Sequence, residues 1–211
     1  MPLVAKQRIT SQTSNVVFAA TEAAAVTAAL TGVGGSPVVA VSNPFPFWPT
    51  IQKYANDNNP TFGAAANPAY IWSETPADPG ESFGFAAISN SIPTLFTDNQ
   101  YVITVTVFSD NAHTLRISAY DDEGLIPATN LNIFLNDGDT TSFNPSENGI
   151  SPPYGWQNVR SYTINTIVSV GIFDNVRFII SFTGVNYDSN GPENPAGLAF
   201  IADIYQMVTS T

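Results

Sequence analysis

Residues 101–120 read YVITVTVFSDNAHTLRISAY, and this stretch decides the fold. In YVITVTVF (101–108), Tyr101, Ile103, Val105 and Val107 fall on one face of an extended chain. In TLRISAY (114–120), Leu115, Ile117 and Ala119 point one way while Arg116 and Ser118 point the other. Successive side chains of a strand alternate between faces, so strict period-two alternation marks half-buried β-structure. Between the two runs, SDNAH (109–113) has the composition of a turn.

The same period continues outward. VRFIISFTGV (176–185) sets Val176, Phe178, Ile180 and Phe182 against Arg177, Ser181 and Thr183. GLAFIADIYQMV (197–208) is apolar on both faces for much of its length, as expected of a central strand. The turn sequences DDEG, NDGD, NPSENG and NYDSNGPENP separate the later runs. The pattern predicts an all-β, antiparallel, jelly-roll-like β-sandwich, with Trp72, Phe83, Phe85, Phe178, Phe182 and Phe200 in its core.

Two further regions precede these strands. Residues 1–42 read as an N-terminal arm or extra strands: NVVF (15–18) and VVAV (38–41) suit strands. Ala23–Leu30 suits either two helical turns or an extended arm, because β-branched Val26 and Thr27 and nearby glycines offset its alanines. Residues 43–69, NPFPFWPTIQKYANDNNPTFGAAANPA, hold too many Pro, Asn and Gly for a long regular element. Phe45, Phe47, Trp48, Tyr54 and Phe62 make this an ordered loop wrapped over a sheet, the start of a domain spanning 43–211.

Composition bounds the function. Only 11% of the 211 residues are charged, 44% are hydrophobic and the net charge is −11. Lys6, Arg8, Lys53, Arg116, Arg160 and Arg177 are all the basic residues. A phosphate backbone needs a clustered basic stripe, so no nucleic acid is expected as a partner. No apolar run approaches the ~18–20 residues of a membrane helix, so no membrane insertion is expected. The N-terminal residues include no apolar core of signal-peptide length, and no cysteine is present for thiol chemistry or disulfides.

No catalytic set stands out, and the chain reads as a non-enzyme. His113, the single histidine, has no G-x-S-x-G partner motif and reads as a surface or hairpin residue. Asp121, Asp122 and Glu123 on one turn, with Asp137 and Asp139 on another, could supply oxygens to calcium or simply form solvated acidic turns. No other cofactor is implied. Trp48, Tyr54, Tyr154, Trp156 and Tyr187 lie in or beside loops, where flat rings suit glycans or subunit interfaces as well as core packing. Lys6 and Arg8, at the start of an otherwise acidic chain, suit an assembly arm that docks on an acidic neighbour.

Four phrases resemble the galactose-binding-like jelly-roll superfamily: AYIW (69–72), SDNAHTLRISAY (109–120), Trp156 within PPYGWQNVRSYTI, and NPAGLAFIADI (194–204). Together they cover roughly residues 40–208. Where such modules run into an Asn-Gly turn, this chain has Tyr120, Asp121, Asp122, Glu123 and Gly124. The resemblance implies a β-sandwich used for carbohydrate binding, adhesion or packing. Two functions follow as expectations. One is a structural or adhesive subunit of a virion, spore-surface or other extracellular assembly, with itself as main partner. The other is a stand-alone carbohydrate-binding, lectin-like module with glycans as partners.

Overall fold

The computed structural model describes residues 2–52, 59–94, 98–121, 133–143, 155–169, 175–188 and 194–208. In chain order its elements are β1 (Leu3–Thr10), β2 (Val16–Ala19), α1 (Glu22–Thr31), β3 (Ser36–Pro37), β4 (Val39–Ala40), α2 (Pro60–Gly63), β5 (Ile71–Trp72), β6 (Glu81–Ile88) and β7 (Ile92–Pro93). There follow β8 (Asp98–Asp110), β9 (Ala112–Tyr120), β10 (Ile133–Asp137), a 3-10 turn at Gly155–Gln157, β11 (Arg160–Ser169), β12 (Asn175–Asn186) and β13 (Gly197–Met207).

The strands form two antiparallel sheets. One runs β11-β8-β13-β5-β4, with β1 also on β13; the other runs β10-β9-β12-β6-β2-β3, with β7 on β12. The core fills the space between them: Ile103, Val105 and Val107 of β8 and Ile204, Ala202 and Phe200 of β13 meet Leu115, Ile117, Phe178, Ile180 and Phe182. The alternation read from the sequence is the alternation seen, because one residue of slip would turn every one of these side chains outward. Trp72, Phe85, Phe178, Phe182 and Phe200 are fully buried, and Phe83 packs half-buried against them.

Residues 2–42 are built into the sandwich. β1 pairs with β13 from Leu3↔Met207 to Thr10↔Ile201, with a bulge that leaves Lys6 as the extra residue. Arg8 lies opposite Asp203 in this ladder, and its guanidinium donates to both carboxylate oxygens at 2.6 and 2.7 Å. Arg8 thus meets an acid of its own chain, where the sequence reading had set it in an arm reaching for a neighbour. Beyond β1, Ser11 stitches the sheet: its hydroxyl donates to Ala69 O and accepts from Phe200 N.

Residues 22–31 resolve as a helix. Thr21 caps it, its hydroxyl accepting from Ala24 N at 3.2 Å, and Gly32 ends it at φ 71. The helix lies on the outer face of β6 and β12, with Ala25 and Ala28 buried. Gly84 is needed beneath it, since a Cβ there would sit 2.2 Å from the Thr21 carbonyl. Glu22 accepts from Ser181 and faces Arg116 at 3.4 Å, tying helix to sheet.

Candidate functional site

The loop over residues 43–52 crosses one end of the β8–β13 pair. Pro44, Pro46 and Pro49 restrict its backbone, and Trp48 N donates to Phe45 O to close a turn. Trp48 is its anchor, buried to 6% exposure. Its ring packs on Tyr70 and Phe108 at centroid distances of 5.1 and 5.3 Å. Gly197 provides the seat: a Cβ there would stand 2.6 Å from the indole. The Tyr70 hydroxyl donates to Pro49 O at 2.9 Å and holds the far side of the turn.

Under the indole lies Asp110, the last residue of β8, paired with Gly197. Trp48 Nε1 donates to Asp110 Oδ2 at 2.8 Å, while the buried Oδ1 has no hydrogen-bond partner. Burial raises the carboxyl to about 7, and the Trp48 hydrogen bond pulls the other way.

Above this anchor sits a cluster of rings. Phe45 packs edge-on to Phe47 at 5.4 Å and to Trp156 at 6.1 Å. Phe45 and Trp156 are half-buried, but Phe47 is 75% exposed. Trp156 comes from the 3-10 turn before β11, which packs against β8 and β9. Neither NPFPFWPT (43–50) nor GWQNV (155–159) contains a charged residue. The result is an exposed apolar patch on a braced base, built from two segments without a charged residue.

Of the aromatic candidates, Trp48 and Trp156 are brought together here. Tyr187 is not: it is buried, its hydroxyl donating to Asp139 O at 2.8 Å and accepting from Asp139 N at 2.9 Å. Tyr54 and Tyr154 lie outside the described residues. Phe45, Phe47 and Asp110 were missed as site residues. The two phenylalanines read as apolar anchors, and Asp110 as an ordinary turn aspartate. A signal was present in FPFW, since three large rings around one proline cannot all face inward from a tight loop.

The described residues of the acidic turns are held by separate partners. Asp137 is held by Arg160, whose Nε and terminal nitrogen donate to Oδ2 and Oδ1 at 2.8 and 2.9 Å. Asp139 Oδ1 accepts from the backbone N and hydroxyl of Thr141 in a local turn. Asp121 stands half-buried at the end of β9; Asp122 and Glu123 lie outside the described residues. Among the described residues no three His, Asp or Glu side chains gather as a metal site. These placements give the calcium reading no support.

His113 differs from its reading as a surface residue. It is buried, 3.5 Å from the Tyr162 hydroxyl and edge-on to Phe182. Burial lowers it to about 4; Asp137 raises it and Arg160 lowers it further. It is a neutral core residue at neutral pH. At the opposite end of β8, a cavity of about 390 Å³ is lined by Gln100, Tyr101, Asn165, Thr166, Ile167 and Met207. It too is uncharged, but it has no exposed ring cluster.

No family model matches this chain, and no curated protein matches it. Among solved structures, TmCBM61 in complex with β-1,4-galactotriose is 11% identical, over 70% of this chain and 74% of that one, at a TM-score of 0.37. The CBM36-1 domain of a multidomain xylanase from the hindgut metagenome of Trinervitermes trinervoides is 11% identical, over 97% and 100%, at 0.31. A family 35 carbohydrate-binding module from Clostridium thermocellum is 7% identical, over 94% and 98%, at 0.33. Likeness of that degree carries no argument about function. The strand pairing itself defines the class, an antiparallel two-sheet β-sandwich of the kind the sequence resemblance implies.

Proposed function

We propose that this protein is a non-catalytic carbohydrate-binding module whose binding platform is the Phe45–Phe47–Trp156 cluster. The observation that carries the reading is the exposure of Phe47 on a braced ring cluster with no charged residue in the two segments that build it. A pyranose presents an apolar C–H face that stacks on such rings. The amides of Asn43 and Gln157, both exposed, flank the rings in sequence and suit its hydroxyls. A platform fixed in advance loses little entropy when a ligand lands on it. A solvent-exposed phenylalanine also gains more from a ligand than from water.

Affinity electrophoresis against soluble neutral polysaccharides (galactan, xylan, mannan, β-glucan) tests the proposal. At least one should retard the protein, and Phe47→Ala and Trp156→Ala should each weaken that retardation tenfold or more. Retardation by none of them, or retardation unchanged in both variants, overturns the platform.

The assembly-subunit reading is kept as a second one, on a separate observation. Among the described residues β11 ends its sheet as ten residues, RSYTINTIVS, with no Pro, Lys or acidic residue to block pairing with another chain. Light scattering separates the two readings. A mass near 22.5 kDa rejects the assembly, and a defined oligomer supports it.

A further inference from the structure

We propose that Asp110 is a positioning residue for the ring platform, its proton deciding whether Trp48 keeps the 43–52 loop, which carries Phe45 and Phe47, seated on the sheet. This deepens the carbohydrate-binding reading by assigning that site a control, and it rests on the reading only for its consequence on binding. The geometry comes first. The contact from loop to carboxyl is one hydrogen bond, Trp48 Nε1 to Asp110 Oδ2 at 2.8 Å. The other carboxyl oxygen is buried and has no partner. A neutral carboxylic acid loses less in that environment than a carboxylate whose buried oxygen has no partner.

Among the described residues the charged surroundings are sparse. From the loop side Asp110 meets the Trp48 indole, with Tyr70 packed on that ring's flank. From β13 it meets Gly197. On β9, the nearest titratable group is His113, which turns toward Tyr162 and Phe182. Asn111, the next residue, is a neutral amide accepting from Tyr187 N. Burial and the indole are therefore the influences on this carboxyl, and they leave it near 7.

The direction follows. With the loop seated, Asp110 holds its proton up to about pH 7; lifted into water it titrates near the ordinary 3.8. The seated state binds more protons between those values, so seating is favoured at low pH. Lifting becomes easier by up to about tenfold per pH unit as pH rises from 4 to 7, and levels off above that. When Trp48 lifts, the Trp48 N to Phe45 O turn opens and the platform loses its base.

The experiment needs no glycan. The indole N–H resonance of Trp48 and the carboxyl carbon of Asp110 are followed by NMR from pH 4 to 9 in the full chain, beside Asp110→Asn. Both wild-type signals should titrate together near 7. Indole hydrogen exchange, taken as a ratio to Asp110→Asn at each pH, should rise several-fold or more between pH 5 and 7. Asp110→Asn keeps an acceptor for the indole and should show no such step. A carboxyl that titrates near 4, or an indole indifferent to it, overturns the proposal. Should Asp110→Asn not fold, the wild-type titration alone decides. If the step appears and no neutral polysaccharide binds, the carbohydrate reading fails and the positioning role stands.

Discussion

Arg160, the first residue of β11, donates through two nitrogens to both oxygens of Asp137, the last residue of β10, and so joins the end strands of the two sheets. Among the described residues no backbone ladder links these two strands, so the pair fastens one sheet to the other there. The bond also raises the arginine's pKa, with its hydrogen bond to Asp137 as the main cause.

Loss of that clasp should be measurable but small. The arginine is 43% exposed, so solvent screens the charge. Arg160→Met should lower stability by about 1 kcal/mol in urea melts. Arg160→Lys should lose nearly as much, since an ammonium cannot reproduce the two-pronged contact. Full stability in Arg160→Met would deny the clasp any role.

Two buried titrations should oppose one another. His113 has a folded pKa of about 4 against 6.5 when unfolded. The unfolded state binds more protons in that window, so this stabilisation is lost as pH falls from 6.5 to 4. Asp110 runs the other way: its folded value of about 7 exceeds 3.8, so stabilisation is lost as pH rises from 4 to 7. Asp110→Asn should therefore lose stability relative to wild type on going from pH 6.5 to 4. His113→Gln should lose it on going from pH 4 to 7. Each tilt has a ceiling of roughly 3 kcal/mol. Denaturant midpoints across pH in the three proteins check this, and parallel curves would contradict it.

The seat of Trp48 should not accept a methyl group. Gly197→Ala places a carbon about 2.6 Å from the indole, inside contact distance, so the ring or the strand must move. A cost of about 1–3 kcal/mol is expected. It should come with a changed near-ultraviolet dichroism signal from Trp48 and weaker polysaccharide retardation. An unaltered tryptophan signal would show the seat to be looser than drawn.

Core truncation sets the scale for the rest. Phe178 and Phe182 are fully buried between the sheets, against Tyr101 and Phe200 at 4.9 Å each. Phe178→Ala or Phe182→Ala should cost about 3–5 kcal/mol in chemical denaturation. Phe47→Ala, at the exposed platform, should change stability by no more than about 0.5 kcal/mol while weakening binding. That contrast separates a binding ring from a packing ring.

The sequence by itself determined the sandwich. Alternation in 101–108, 114–120 and 176–185 assigns each side chain to a face, and a face rich in Ile, Val and Phe must be covered by another like it. Local pattern suffices there because register and burial are the same question. It was less decisive for residues 22–31, where propensities balance. A threonine cap, the glycine after the helix and a sheet face with room at Gly84 settled that segment as a helix.

Side-chain partners were decided only by the tertiary structure. Nothing local distinguishes Asp110 from a solvated turn aspartate; it is buried because a loop 62 residues earlier lays Trp48 across it. The FPFW run requires one of its rings to face outward, but nothing local selects Phe47 for that place or turns Tyr187 inward. The sequence suits Arg8 to an arm docking on an acidic neighbour, and only β13, almost 200 residues later, brings Asp203 of the same chain opposite it. Periodicity reports which face a residue takes, but which distant group occupies that face depends on how the strands are ordered across the sheets.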